Sequence, residues 1–107
     1  MRQMFGGFVP HSSVNWIQTF ELQIPLNEEW TILFLDLQDL AYPHFESQLR
    51  INDIPHMDTY TGFIYNLHTV NKIVKGGSTI SLYGKAFSAI AGTYAYFMMV
   101  DRKITGA

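Results

Sequence analysis

Residues that reverse a chain recur at short intervals from end to end: Gly6-Gly7, Pro10, Pro25, Asn27, Pro43, Asn52-Asp53, Pro55, Gly62, Gly76-Gly77, Gly84 and Gly92. Most segments between them alternate with period two, the mark of a half-buried strand. Over 17–24, Phe20, Leu22 and Ile24 alternate with Thr19, Glu21 and Gln23; over 45–51, Phe45, Leu49 and Ile51 alternate with Glu46, Gln48 and Arg50. Over 79–85, Ile80 and Leu82 alternate with Thr79, Ser81, Tyr83 and Lys85, behind a Gly76-Gly77 hairpin turn. Short strands with a turn at roughly every 8–12 residues predict an all-β fold. The expected architecture is one antiparallel β-sandwich, jelly-roll-like, of about seven to eight strands. At 107 residues, with no repeat or linker, the chain reads as a single domain, with 1–9 as a candidate N-terminal arm.

Two runs, 30–40 and 93–100, are apolar on both faces. The first also fits a short helix over 28–42. Trp30, Leu33, Phe34, Leu37 and Ala41 fall on one helical face, Asn27 is a cap, and Pro43 is a stop. Ile32 and Leu35 on the opposite face, and the strands on either side, favour a strand. A strand apolar on both faces is either covered by a second layer or faces a partner subunit. Composition favours the partner. Charged residues are 15% of the chain, against roughly 25% in typical domains, while aromatics are also 15% and Met numbers 5. Residues 1–58 hold eight acids and two bases, and 59–107 five bases and one acid. That asymmetry orients contacts between copies, unless the two halves interleave in both sheets, as sandwich strands usually do.

The same composition removes several functions. A net charge of −2 gives no footing for nucleic acid, and the absence of Cys excludes a disulfide framework or a thiol nucleophile. No apolar run is long enough for a bilayer, and the first residues lack a signal-peptide pattern, so a soluble cytoplasmic product is expected. Ser12-Ser13 and Ser78 have no nucleophile elbow, and 76–79 lacks the order of a phosphate loop. A non-enzymatic protein without cofactor is the expectation.

Two ligand chemistries remain open. Asp53, His56 and Asp58, in the polar loop 52–58, carry a weak divalent-metal pattern that a Pro55-shaped surface turn explains equally well. Trp16, Tyr60, Tyr65 and Tyr83 are amphipathic rings of the kind that stack on a sugar, although strand tyrosines usually pack with the hydroxyl in water.

The last third carries a resemblance. Leu67-His68-Thr69-Val70, Ile73-Val74-Lys75-Gly76-Gly77-Ser78-Thr79-Ile80-Ser81-Leu82-Tyr83 and Thr93-Tyr94-Ala95-Tyr96-Phe97-Met98-Met99-Val100 resemble the closing strands of tumour-necrosis-factor/C1q-like heads and small phage virion proteins. Gly77-Ser78 stands where those families usually have aspartate. The resemblance implies a sandwich whose aromatic last strand lies near an oligomer axis, commonly a trimer's, in a virion assembled in the host cytoplasm. On this reading the protein is a capsid, fibre or tail component that binds itself and other virion proteins through Phe5, Phe8, Trp30, Phe34, Tyr94, Tyr96 and Met98. The rival is a carbohydrate- or receptor-binding module using the four rings named above. Neither nucleic acid nor membrane is expected as a partner.

Overall fold

Eight strands follow one another as β1 (Arg2–His11), β2 (Ile17–Gln23), β3 (Glu28–Asp39), β4 (Phe45–Ile51), β5 (Ile54–Tyr60), β6 (Asn66–Lys75), β7 (Thr79–Ala86) and β8 (Gly92–Ile104). They come from a computed structural model that describes residues 1–11, 14–39, 45–60, 66–86 and 92–105, and no helix occurs among these. The strands form two four-stranded antiparallel sheets packed as a sandwich. Sheet A has the order β1-β8-β3-β6 and sheet B the order β2-β7-β4-β5. The chain changes sheet at every connection except the β4–β5 hairpin, so first and last strands lie side by side. Both sheets mix strands from the acidic and the basic half of the sequence, and the charge asymmetry does not become an acidic and a basic side.

Alternation explains the core. Ile24, Leu49, Ile80, Leu82 and Ala86 from sheet B meet Trp30, Ile32, Leu35, Leu37, Val74, Tyr94, Met98 and Val100 from sheet A. Phe20 and Tyr96 stack across the gap with centroids 4.6 Å apart. Tyr94 is fully buried, and its hydroxyl points at Gly84 of the facing sheet, where a Cβ would lie 2.7 Å from it. Burial pushes the Tyr94 phenol up to about 12, although Thr19 and Ser47 hydrogen-bond it.

Segment 28–42 is not a helix over its described part: Glu28–Asp39 is the 12-residue strand β3. Its helical-looking pattern comes from a bulge. Between Ile32 and Phe34 the register with β8 slips by one, so inward residues are Trp30 and Ile32 before the slip, Leu35 and Leu37 after it. That break in alternation puts Trp30, Leu33, Phe34 and Leu37 at helical spacing by accident. Residues 40–44 lie outside the described residues.

Three other expectations change. Segment 1–9 is not a free arm, since Arg2–His11 pairs along its whole length with β8. The polar loop 52–58 is a two-residue turn, Asn52 and Asp53 at φ 53 and 63, followed by β5. The bulge at His56 hides that strand's alternation. The turn at Gly76-Gly77 is a reversal with Gly77 at φ 83, yet it joins β6 in sheet A to β7 in sheet B and is no hairpin.

Candidate functional site

The two outer faces differ in kind. Sheet B turns polar groups outward, and they hold one another. Lys85 pairs with Glu46 at 3.2 Å and lies 4.8 Å from the Trp16 ring centroid. The Arg50 guanidinium sits 3.7 Å over the Tyr83 ring, whose hydroxyl donates to Gln18 Oε1 at 3.0 Å. This is an ordinary solvated antiparallel face.

Sheet A turns hydrophobic groups outward. Register sets its outward positions in cross-strand rows: Met4, Met99, Phe34 and Thr69 in one, Gly6, Phe97 and Asp36 in the next, then Phe8 and Ala95. Phe8 is 70% exposed, Ile73 58% and Met4 47%, while Phe34, Phe97 and Met99 are half-buried. The adjacent glycines of β1 are slots for two rings on opposite faces. A Cβ at Gly6 would lie 2.6 Å from the outward Phe97 ring, and one at Gly7 3.2 Å from the hydroxyl of the inward Tyr96. Charges on this side, Glu29, Lys75, Asp101 and Lys103, gather toward the end that carries Arg2.

Asp36 is the exception within the apolar rows. Leu35 and Leu37 on either side of it point inward and are fully buried, so its carboxyl points outward between Phe97 and Leu67 in register. Its Oδ1 is buried with no hydrogen-bond partner among the described residues. Desolvation raises its pKa above the ordinary carboxylate value, with His68 pulling the other way. A raised carboxyl weakens the fold when ionised, and that cost is relieved as pH falls through the raised value toward the unfolded one. Asp36→Asn is expected to raise Tm by about 2–4 °C at pH 7, with the gain vanishing in acid. Thermal melts across pH check this; an unchanged or lower Tm at pH 7 overturns it.

The residues picked from sequence as an interface divide sharply. Trp30 (4% exposed), Tyr94 and Met98 (both 0%) are enclosed by the protein's own core, which takes them off any surface. Phe5 and Tyr96 also point inward, Phe5 stacking on Trp30 at 5.7 Å. Phe8 and Phe34 alone of the seven lie on the outer face. The outer face also holds Met4, Ile73, Phe97 and Met99, which are not among the seven. In β8 both parities are apolar, and the more aromatic set, Tyr94, Tyr96 and Met98, is the inward one. The signal that separates the two is Gly6-Gly7, whose register opposite Phe97 and Tyr96 shows which ring lies on which face.

The other candidates do not assemble into a site. Trp16 and Tyr83 share the outer face of sheet B, but each gives a ring face to a cation. Tyr65 lies outside the described residues, and of Tyr60 only the backbone is described, opposite Glu46. Asp53 and His56 are exposed at the β4–β5 turn, and the Asp58 side chain is outside the described set. His56 lines a hollow of about 260 Å³ with Lys72, whose ammonium opposes a metal cation there. No cluster of three metal-ligating side chains occurs among the described residues.

A hollow of about 400 Å³ at the far end is lined by Met1, Glu28, Arg102 and Ile104. Its charges are committed to each other. Arg102 donates to both Glu28 oxygens at 2.7 and 2.9 Å, which lowers the Glu28 pKa, and to Gln3 Oε1 at 2.6 Å. This fork caps the core over Trp30, whose Nε1 donates to Glu28 at 3.1 Å. It is a structural clasp. No known family model matches the chain, and no curated protein matches it in sequence.

Proposed function

We propose that this protein is a non-enzymatic assembly subunit that binds copies of itself through the outer face of sheet A, as a component of a phage or viral particle. One observation carries the reading: a sheet face that is apolar across its middle rows in a chain with few charges. An antiparallel sheet open to water normally alternates apolar-in and polar-out, as sheet B does. Contiguous exposed apolar surface on a soluble chain marks an interaction site. The strand order supports the particle context, since eight strands in two such sheets, with the chain crossing between them, have the wiring of a jelly roll. Capsid and lectin domains share that wiring, and the character of the outer faces favours the first. On sheet B the rings that a sugar would need are already covered by Arg50 and Lys85, while sheet A offers hydrophobic area in which Asp36 is the one charged group of the middle rows.

Sizing by light scattering across micromolar concentrations tests this. The expected result is a species larger than a monomer, and Phe34→Lys, at the centre of the face, is expected to weaken association roughly 30-fold or more. A protein that stays monomeric at every concentration overturns the proposal.

A further inference from the structure

The edge strands of the two sheets are not alike. β2 is bulged at Thr19, whose Oγ1 donates to Leu82 O at 2.9 Å. β5 is bulged at His56 beside Pro55. β6 is bulged where Asn71 takes φ 49, and it carries exposed Lys72 and Lys75. Bulges, prolines and lysines are the devices that stop an edge from pairing with another chain. β1 has none of them between Gln3 and Val9: no charge, no proline, and ten residues paired with β8 without a register slip.

The free groups of that edge can be assigned. Met1 N donates to Arg102 O at 2.7 Å and Arg102 N to Met1 O at 2.7 Å, so this is a hydrogen-bonded pair. Antiparallel ladders alternate, so odd residues of β1 bond to β8 and even ones turn N–H and C=O to the open side. The even residues, Arg2, Met4, Gly6 and Phe8, are also those with side chains on the apolar outer face. Backbone valence and exposed apolar groups therefore point to one neighbour.

We propose that two copies join by antiparallel pairing of β1 with β1 about a two-fold axis at Gly6, making one continuous eight-stranded sheet. In this register Met4 meets the partner's Phe8 and Phe8 the partner's Met4, with Gly6 facing Gly6. Every such pair is even with even, the parity that the free groups require, and the pairing supplies about eight interchain hydrogen bonds. The contact is isologous, and each copy covers the exposed Phe8 and Met4 of the other. The rest of the outer face remains free for the contacts of a larger assembly. The inference rests on the self-association reading above and names its first contact.

Two sets of variants test it. Met4→Pro removes an N–H that bonds nothing among the described residues, whereas Met4→Ala keeps it. The expected result is dimerisation weakened roughly 30-fold or more by proline and far less by alanine, both keeping the parent's circular dichroism. The chain has no native Cys, so Met4→Cys/Phe8→Cys is a clean cross-linking pair. Paired Cα atoms about 5.5 Å apart permit a disulfide, and oxidation is expected to give a covalent dimer. Phe8→Cys alone leaves the two thiols roughly 13 Å apart along the strands and is expected not to cross-link. An assembled parent in which Met4→Pro changes nothing and the double-cysteine protein stays uncross-linked overturns the edge pairing and leaves the face reading intact. A monomeric parent overturns both.

Discussion

Trp30→Ala is expected to lower stability by about 4 kcal/mol, the upper range for emptying a buried aromatic site, and to drop Tm by roughly 15 °C or more. Three losses coincide there. The side chain is 4% exposed and packs in the core of sheet A, so its removal leaves a large void. Phe5 loses its stacking partner, and β1, the edge strand, loses one of its two inward aromatic anchors, the other being Tyr96 in the Gly7 slot. The Glu28 carboxylate loses the indole N–H and Arg102 loses the ring beneath it, which loosens the clasp closing that end. Trp30→Phe keeps the stacking and most of the volume and is expected to cost less than half as much. Chemical and thermal denaturation of both variants measures this. An alanine variant within about 1 kcal/mol of the parent would show that the β1–β3 end contributes little to the cooperative unit. The edge surface would then lack the rigid backing that pairing requires.

The fold was largely legible in the sequence, and the reason is parity. Where one face of a strand is polar, as in β2, β4 and β7, alternation assigns the buried side directly, and Ile24, Leu49, Ile80 and Leu82 lie inside as their spacing predicts. Legibility failed where alternation is broken or doubled. Bulges in β3, β5 and β6 shift parity in mid-strand, so β3 imitates a helix and β5 reads as a loop. In β8 both faces are apolar, and periodicity cannot choose between Tyr94-Tyr96-Met98 and Ala95-Phe97-Met99. That is why the surplus hydrophobicity is legible in the sequence, while most of the residues that carry it there, Trp30, Tyr94 and Met98 among them, belong to the core. The surplus belongs to the sheet's outer face, and only cross-strand register, with Gly6 beneath Phe97 and Gly7 beneath Tyr96, separates the two sets. The edge property of β1 was hidden for a different reason. An edge is defined by what its neighbours leave unpaired, and no local pattern encodes that.

The end of the sandwich opposite the Gly92 terminus of β8 depends on one residue that has no side chain to contribute. The turn Pro25–Glu28, closed by Glu28 N donating to Pro25 O at 3.1 Å, is laid against the turn Lys75–Ser78, closed by Ser78 N donating to Lys75 O at 3.2 Å. Gly77 N and Ile24 N reach across to Ile24 O and Ser78 O, each at 2.9 Å. Asn52 ties the β4–β5 turn to the same place, its Oδ1 accepting from Thr79 N at 2.9 Å. The cost of this docking falls on Gly76, where a Cβ would lie 2.6 Å from Leu26 O and 2.7 Å from both Glu28 O and Pro25 O. Three backbone oxygens cannot turn aside as a side chain can. Gly76→Ala must therefore separate the turns and is expected to cost about 3 kcal/mol, the size of a severe overpacking. Gly77→Ala is the discriminating control. Its neighbour is the Leu26 Cδ2 methyl at 3.0 Å, and its penalty is the positive φ of 83, worth about 1 kcal/mol. If conformational freedom were what this Gly-Gly pair supplies, Gly77 would be the more sensitive position. Because close approach of two turns is what Gly76 permits, the order is expected to reverse, with Gly76→Ala the worse by about 2 kcal/mol in equilibrium unfolding. A Gly77 variant less stable than the Gly76 variant would sink that account and place the strain in the turn rather than between turns.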